Sequence, residues 1–85
     1  MNTSEITAVR YLGEAKYYLK QGYYTRALDY IEKSITYGNW SDSFSIRANI
    51  YLKMGKLDEA IKDFKKSTTM VGKQLEGGIG NDATV

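Results

Sequence analysis

The sequence predicts an all-α protein built from two tandem helix-turn-helix units, and three observations support this fold class. The segment 20–34 aligns with the segment 53–67 at a constant shift of 33 residues, which carries Gly22 onto Gly55 and Ala27 onto Ala60. Apolar residues recur in both copies at three- and four-residue spacing, the period of an amphipathic helix. Proline is absent, so no residue forbids a long helix.

The first unit contains two helices separated by Gly22. An apolar stripe predicts a helix that begins near Ser4, with Asn2, Thr3 and Ser4 as candidate N-caps, and that runs through Val9, Tyr11, Leu12, Ala15, Tyr18 and Leu19. Gly22 ends it, because glycine readily adopts the left-handed conformation of a helix C-terminus. A second helix, ending near 37–39, is predicted by the stripe Tyr24, Ala27, Leu28, Ile31 and Ile35. The connection is short, so the helices pack antiparallel with Ala27 at their closest approach.

The second unit repeats this plan, with helices over about 41–54 and 57–70 and Gly55 between them. Ala48 and Ala60 are its small contact residues. From Gly72 onward glycine is frequent, and its backbone entropy opposes a helix. We therefore expect a domain over 1–74, made of a first unit at about 8–40 and a second at about 41–74, followed by a flexible, disordered tail at 75–85.

The repeated residues resemble the tetratricopeptide repeat, a 34-residue helical hairpin. The first unit matches its pattern at Tyr11, Ala15, Tyr18, Gly22, Ala27, Ile31 and Ser34, and the second at Phe44, Ala48, Tyr51, Gly55, Ala60, Phe64 and Ser67. The resemblance covers roughly 8–74. The sequence departs from the pattern at Gly13, where a helix former is usual, and lacks the closing proline. The resemblance implies four antiparallel helices in a short right-handed α-solenoid.

Composition argues against several classes of function. Cysteine and histidine are both absent, which removes any thiol nucleophile, the commonest general base and the commonest transition-metal ligands. We therefore expect no enzyme activity, no metal site and no cofactor. The formal charge of +2, from 12 basic and 10 acidic residues, is unlike that of a nucleic-acid binder. No apolar run suits a membrane span, and residues 1–5 do not resemble a signal peptide, so a cytoplasmic protein is expected.

A concave face is the first candidate binding surface, and it rests on the resemblance. In tetratricopeptide proteins the first helix of each unit lines a groove that takes a peptide or a helix. The corresponding residues here are Val9, Leu12, Lys16, Leu19, Lys20, Asp42, Ser45, Asn49, Leu52 and Lys53. Some family members grip acidic chaperone tails with a clamp of Lys and Asn. The clamp positions here hold Leu12, Lys16 and Ile46, so that function is disfavoured.

An uncapped last helix is the second candidate surface. Solenoid units bury their apolar faces against neighbours and usually need about three units or a polar cap. With two units, part of the last helix stays open. The candidate interface residues are Trp40, Leu57, Ile61, Phe64 and Met70. Trp40 has two interpretations, a plug of the junction between units or an anchor for a partner. The charged residues Asp58, Glu59, Lys62 and Asp63 are expected on a solvated face.

The function predicted from these features is protein–protein interaction, as an adaptor, an assembly factor or a small chaperone. One alternative is a self-assembling structural homo-oligomer. Another is a small regulator that occupies the surface of an enzyme or of a nucleic-acid-binding protein. Exposed tyrosines beside lysines would suit stacking on single-stranded nucleic acid, but the nearly neutral charge argues against it. Another protein, or a second copy of this chain, is the expected partner.

Overall fold

The computed structural model describes residues 2–38 and 40–78, with side chains described as far as Met70. The chain forms four helices in these residues: α1 (Thr3–Gln21), α2 (Tyr24–Tyr37), α3 (Ser41–Lys53) and α4 (Leu57–Gly78). Helices α1 and α2 form one hairpin, and α3 and α4 form the next. Helix α3 packs against α2 and also touches α1. The predicted all-α architecture of two helical hairpins is confirmed.

The start of α1 is set by Asn2, one of the three predicted N-caps. The Glu5 backbone N–H donates to Asn2 Oδ1 at 2.8 Å, and the Asn2 backbone N–H donates to Glu5 Oε1 at 3.0 Å. This reciprocal pair is a capping box, which satisfies backbone donors that the first helical turn leaves without partners. The first helix therefore begins where the sequence predicts it.

Two glycines make the hairpin turns. Gly22 has φ +86° and Gly55 has φ +80°, the left-handed conformation that glycine adopts without steric cost. In each turn the residue after the glycine donates its backbone N–H to a tyrosine carbonyl five residues earlier. These bonds are Tyr23 to Tyr18 at 2.9 Å and Lys56 to Tyr51 at 2.8 Å. The two hairpins are closed by the same local geometry.

The core lies between the helices where small residues allow close packing. Ala8, Ala15, Ala27 and Ala48 are fully buried. Larger side chains fill the space between α1, α2 and α3, and this cluster includes Leu12, Ile31 and Ile50. The buried Ser34 hydroxyl donates to the Ala8 carbonyl at 2.7 Å, so its polar group is satisfied by the neighbouring helix.

The extent of α4 corrects the sequence prediction. The helix continues to Gly78, whereas the sequence predicts a helix end near Met70. A helix that has formed adds one hydrogen bond per residue, and an interior glycine such as Gly72 costs only about 1 kcal/mol. The residues at 73–76 favour the helical conformation and outweigh this cost, and the helix ends at the glycine pair 77–78. The rest of the predicted tail, 79–85, lies outside the described residues.

The junction between the hairpins is tightly packed around Gly38. A Cβ at this position would lie 2.8 Å from the Ala8 Cβ and 3.5 Å from the Trp40 ring. Trp40 is half-buried beside Gly38 and directly precedes α3. Its position at the junction accords with the interpretation as a plug, and its exposed part leaves the second interpretation open.

Candidate functional site

The outward side of α4 carries an exposed apolar stripe, which we call the α4 outer face: Leu57, Ile61, Phe64 and Thr68. The exposed fractions are 57% for Leu57, 52% for Ile61 and 37% for Phe64, and Thr68 is also exposed. Ile61, Phe64 and Thr68 line a shallow depression together with Lys65 and Thr69. Among the described residues, α4 packs against α3 alone. An apolar surface of this kind typically marks an interaction site.

The equivalent residues of the first hairpin are covered. The 33-residue shift carries the α4 outer face onto Tyr24, Leu28, Ile31 and Ile35 of α2. Ile31 is fully buried, and the other three pack partly buried against the core cluster. Helix α3 supplies that cover through Ile46, Ile50 and Met54, which lie in or against the same cluster. The α4 outer face is therefore a stacking surface that has no covering helix within the described residues.

The opposite end of the molecule, on α1, lacks the aliphatic residues that α3 uses to cover α2. The same shift carries Ile46, Ile50 and Met54 onto Gly13, Tyr17 and Gln21. All three of these α1 residues are exposed, and a Cβ at Gly13 would meet nothing within 4 Å. Arg10, also exposed, takes the position of the buried Ser43. Helix α1 therefore lacks the isoleucines with which α3 covers α2, and its face is mixed, since Tyr17 and Ile6 are 57% and 46% exposed beside Arg10.

The predicted concave face is only partly available to a partner. Val9, Lys16, Lys20, Asp42, Asn49, Leu52 and Lys53 are exposed on α1 and α3. Leu12 is instead a core residue with 9% of its surface exposed, and Leu19 packs against the core cluster. Ser45 turns towards α4, where its hydroxyl lies 3.2 Å from that of Ser67. Leu12 and Ser45 therefore serve packing within the chain.

The other predicted interface residues differ in exposure. Met70 is half-buried near the end of the described side chains, and Trp40 lies at the junction between the hairpins. Leu57, Ile61 and Phe64 remain the most open of the set. The structure thus brings three of these five predicted residues together on one helix face.

A buried ion pair joins α3 to α4, and sequence reasoning missed it. Arg47 donates to Asp63 twice, from Nε to Oδ2 at 2.7 Å and from Nη2 to Oδ1 at 3.0 Å. Asp63 is 4% exposed, so its expected place on a solvated face is wrong. Its position in the helix could have indicated this burial, because Asp63 lies between Ala60 and Ser67 on the side of α4 that meets α3. A bidentate pair of this kind fixes orientation as well as distance.

Electrostatics around Arg47 extend the contact to α2. Its Nη1 lies 3.8 Å from Glu32 Oε2, and its guanidinium lies 5.4 Å from the centre of the Phe44 ring. The hydrogen bond with Asp63 raises the pKa of Arg47, although burial opposes it. Burial raises the pKa of the Tyr51 hydroxyl nearby. Arg47 therefore stays charged and connects three helices, which holds α4 at a defined angle.

A cluster of tyrosines covers the seam between α1 and α2. Tyr11 lies between Tyr30 and Tyr37, with ring centres 6.0 and 5.9 Å away, and Tyr18 stacks on Tyr30 at 5.4 Å. Lys33 lies 5.2 Å from the Tyr30 ring centre. Such ring and cation contacts stabilise the hairpin. Because these rings contact one another, the cluster primarily serves packing of the first unit.

The residues that the structure describes contain neither a metal-binding cluster nor a helix suited to cross a membrane. They contain no group of three His, Cys, Asp or Glu side chains placed to hold a metal ion. None of the helices in the described part of the chain has an apolar stretch long enough to cross a bilayer. The features that distinguish the surface are therefore the α4 outer face and the exposed part of the concave face.

Comparison with known families assigns the second hairpin. The model of the tetratricopeptide repeat matches residues 41–70, which span α3 and the part of α4 that packs on it. No curated protein and no solved structure matches the chain. The first hairpin has the same turns and small contact residues as the matched one. Residues 41–70 therefore match the tetratricopeptide repeat, and the first hairpin has the same turn geometry.

Proposed function

We propose that the chain is a protein-interaction module that binds another polypeptide through the α4 outer face. Tetratricopeptide repeats are interaction modules in general, and this chain offers an apolar surface whose counterpart in the first hairpin is covered by a helix. A helix with an apolar stripe is the partner chemistry that this surface suits. Adaptor, assembly-factor and small-chaperone roles all require such binding.

A single comparison carries the proposal. Ile31 of α2 is fully buried, whereas its equivalent Phe64 on α4 is 37% exposed. The two residues occupy the same position in the repeat, so the difference arises from the helix that follows. Leu57, Ile61 and Phe64 are about half exposed, so complete cover would contribute about 0.5–1.5 kcal/mol for each of them. Apolar contacts made by the rest of the partner would have to supply the remainder of the free energy that offsets the entropy of association.

The exposed part of the concave face is a second candidate surface. Val9 and Leu52 are 42% and 47% exposed, and Lys16, Lys20 and Lys53 are exposed nearby on the same helices. This combination suits a peptide with apolar anchors and acidic groups. It is weaker evidence than the α4 outer face, because only one of its two apolar residues has a covered counterpart. Leu52 corresponds to Leu19, which packs against the core cluster, whereas Val9 corresponds to the exposed Asp42.

Site-specific photo-cross-linking in the native cell tests which surface is used. A photoreactive amino acid at Ile61 probes the α4 outer face, one at Lys16 probes the concave face, and one at Glu59 provides a control on another side of α4. We expect cross-links to a polypeptide from position 61 and few from position 59. Cross-links from 16 alone would move the binding site to the concave face, and none from either position would refute the proposal.

A further inference from the structure

The two ends of the helical stack differ in a way that restricts how copies of this chain can meet. The α4 outer face is apolar, while the α1 end presents Arg10, Gly13, Tyr17 and Gln21. Head-to-tail stacking would place Arg10 of one copy against apolar side chains of the next, which leaves a buried charge without a partner. An assembly that joins two α4 outer faces avoids this cost and closes after two copies.

The spacing of the α4 outer face suits a helix as its cover. Leu57, Ile61, Phe64 and Thr68 follow one another at intervals of four, three and four residues, as apolar positions do along a coiled-coil seam. The same intervals continue in the sequence at Val71 and Leu75, along a helix that runs to Gly78. Twenty-two residues of α4 make a helix about 33 Å long, against 14 residues in α2.

Charges beside this seam select the antiparallel direction. Asp58 and Lys65 are both exposed and flank the same side of the stripe, seven positions apart. If two α4 helices pair antiparallel with Ile61 opposite Phe64, Asp58 of each copy lies beside Lys65 of the other. Two opposite-charge pairs form by symmetry. In a parallel pair the two-fold axis would place Asp58 of one copy and Lys65 of the other on opposite sides of the seam, so neither pair could form.

We propose that the partner of the α4 outer face is a second copy of this chain, bound as a two-fold symmetric dimer with antiparallel α4 helices. The inference rests on the proposed function, since it names the occupant of the same surface. In the dimer Ile61 packs on Phe64 and Leu57 on Thr68 of the second copy, and the Asp58–Lys65 pairs flank this core.

Light scattering and sedimentation over a concentration series test the dimer. We expect the full chain to dimerise at micromolar concentration, and Ile61→Asp to weaken dimerisation on the order of a hundredfold with unchanged circular dichroism. The half-exposed position of Ile61 keeps that variant folded. A wild-type chain that remains monomeric up to high micromolar concentration overturns the inference.

Charge exchange tests the direction of the helices with exposed residues only. Asp58→Lys and Lys65→Asp should each weaken self-association roughly tenfold, because two attractive pairs become repulsive. Mixing these two variants should restore association, since the lysines at positions 58 and 65 of one variant then meet the aspartates at positions 65 and 58 of the other. Glu59→Lys changes the charge equally on another side of α4 and should have little effect. Variants that pair no better mixed than alone overturn the antiparallel dimer.

The cross-linking experiment separates this inference from the proposed function. Cross-links from position 61 to a second copy support both. Cross-links from position 61 to a different protein only, with a monomeric chain in solution, overturn the dimer and leave the α4 outer face as a binding site. Absence of cross-links from position 61, together with a monomeric chain, overturns both.

Discussion

At the scale of single residues, one ion pair and one glycine carry constraints that their neighbours do not. Asp63 has 5% of its side chain exposed and Arg47 has 21%, so the pair is largely removed from water. By contrast the pair of Asp29 with Lys33, 3.4 Å apart, has side chains 64% and 48% exposed. Loss of one partner is costly in the first pair, because the remaining charge is partly removed from water. The same loss is almost neutral in the second pair, because both of its charges are hydrated.

Asp63→Ala should therefore lower the free energy of unfolding by roughly 2–3 kcal/mol. This is less than the ~3–5 kcal/mol for a fully buried pair, because Arg47 still reaches solvent. Urea unfolding of Asp63→Ala, Arg47→Leu and the double variant measures the coupling, and the double variant should lose less than the two single losses added together. Asp29→Ala is the matched control and should change stability by less than about 1 kcal/mol. Additive losses would contradict a coupled pair.

Gly38 should be intolerant of a side chain because of its neighbours. Gly38→Ala would bring a Cβ to 2.8 Å from Ala8, so we expect a loss of about 1–3 kcal/mol as the junction shifts. Gly13→Ala is the control, since a Cβ there meets nothing within 4 Å and lies in a helix. It should gain about 0.5–1 kcal/mol. Thermal unfolding compares the two, and equal effects would contradict this account of the junction.

At the scale of elements, α4 differs from α2 in length and in cover, though both follow the same repeat pattern. The hairpin turns at Gly22 and Gly55 are equivalent, but α4 continues to Gly78 beyond the matched repeat. Its continuation depends on helix propagation through Gly72. The extension also lengthens the surface on which a second helix can pack.

Gly72→Ala should strengthen the end of α4. Replacing an interior helical glycine lowers the free energy of helix formation by about 0.5–1 kcal/mol. We therefore expect a stronger helical circular-dichroism signal and slower amide exchange beyond Met70. Gly22→Ala is the contrasting variant, because φ at Gly22 is +86°, and it should destabilise the first hairpin by roughly 1 kcal/mol. Unchanged exchange in Gly72→Ala would contradict the helical extension.

At the scale of the whole molecule, the two ends of the stack differ in polarity. The α4 outer face is open and apolar, while α1 presents Arg10 and Gln21 beside Tyr17. A chain with a single self-complementary end can form a closed pair, whereas a chain with two complementary ends forms open filaments. In the proposed dimer, Arg10 and Gln21 of α1 would therefore limit association to two copies.

Replacing the polar end should change the type of assembly. The triple variant Arg10→Ser, Gly13→Ile and Tyr17→Ile gives α1 the residues that α3 uses at Ser43, Ile46 and Ile50. We expect it to form oligomers that grow with concentration, detectable by light scattering, because its α1 can cover α4 of another copy. Adding Ile61→Asp to this variant should suppress that growth. A triple variant that associates no further than the wild type would contradict the role of α1 as a polar cap.

Much of the fold follows from local features of the sequence. The sequence alone predicts these features because each acts through nearby backbone and packing geometry. They are the helical periodicity, the left-handed glycines at 22 and 55, and the small residues Ala27, Ala48 and Ala60. The capping role of Asn2 is equally local. For the candidate site, the apolar stripe of Leu57, Ile61 and Phe64 was predictable from helical periodicity, and its exposure reflects the lack of a covering helix among the described residues.

Tertiary structure decided what depends on distant neighbours. Only the packing of α3 on α4 shows that Asp63 is buried by Arg47, because register alone does not reveal whether a carboxylate has a partner. Only the packing of the first hairpin moves Leu12 from the predicted concave face into the core. The sequence by itself thus determined two helical units, since these follow from periodicity and the internal repeat. The contrast between α1 and α4 required the tertiary structure, because the exposure of Gly13 and of Phe64 depends on which helices pack against them.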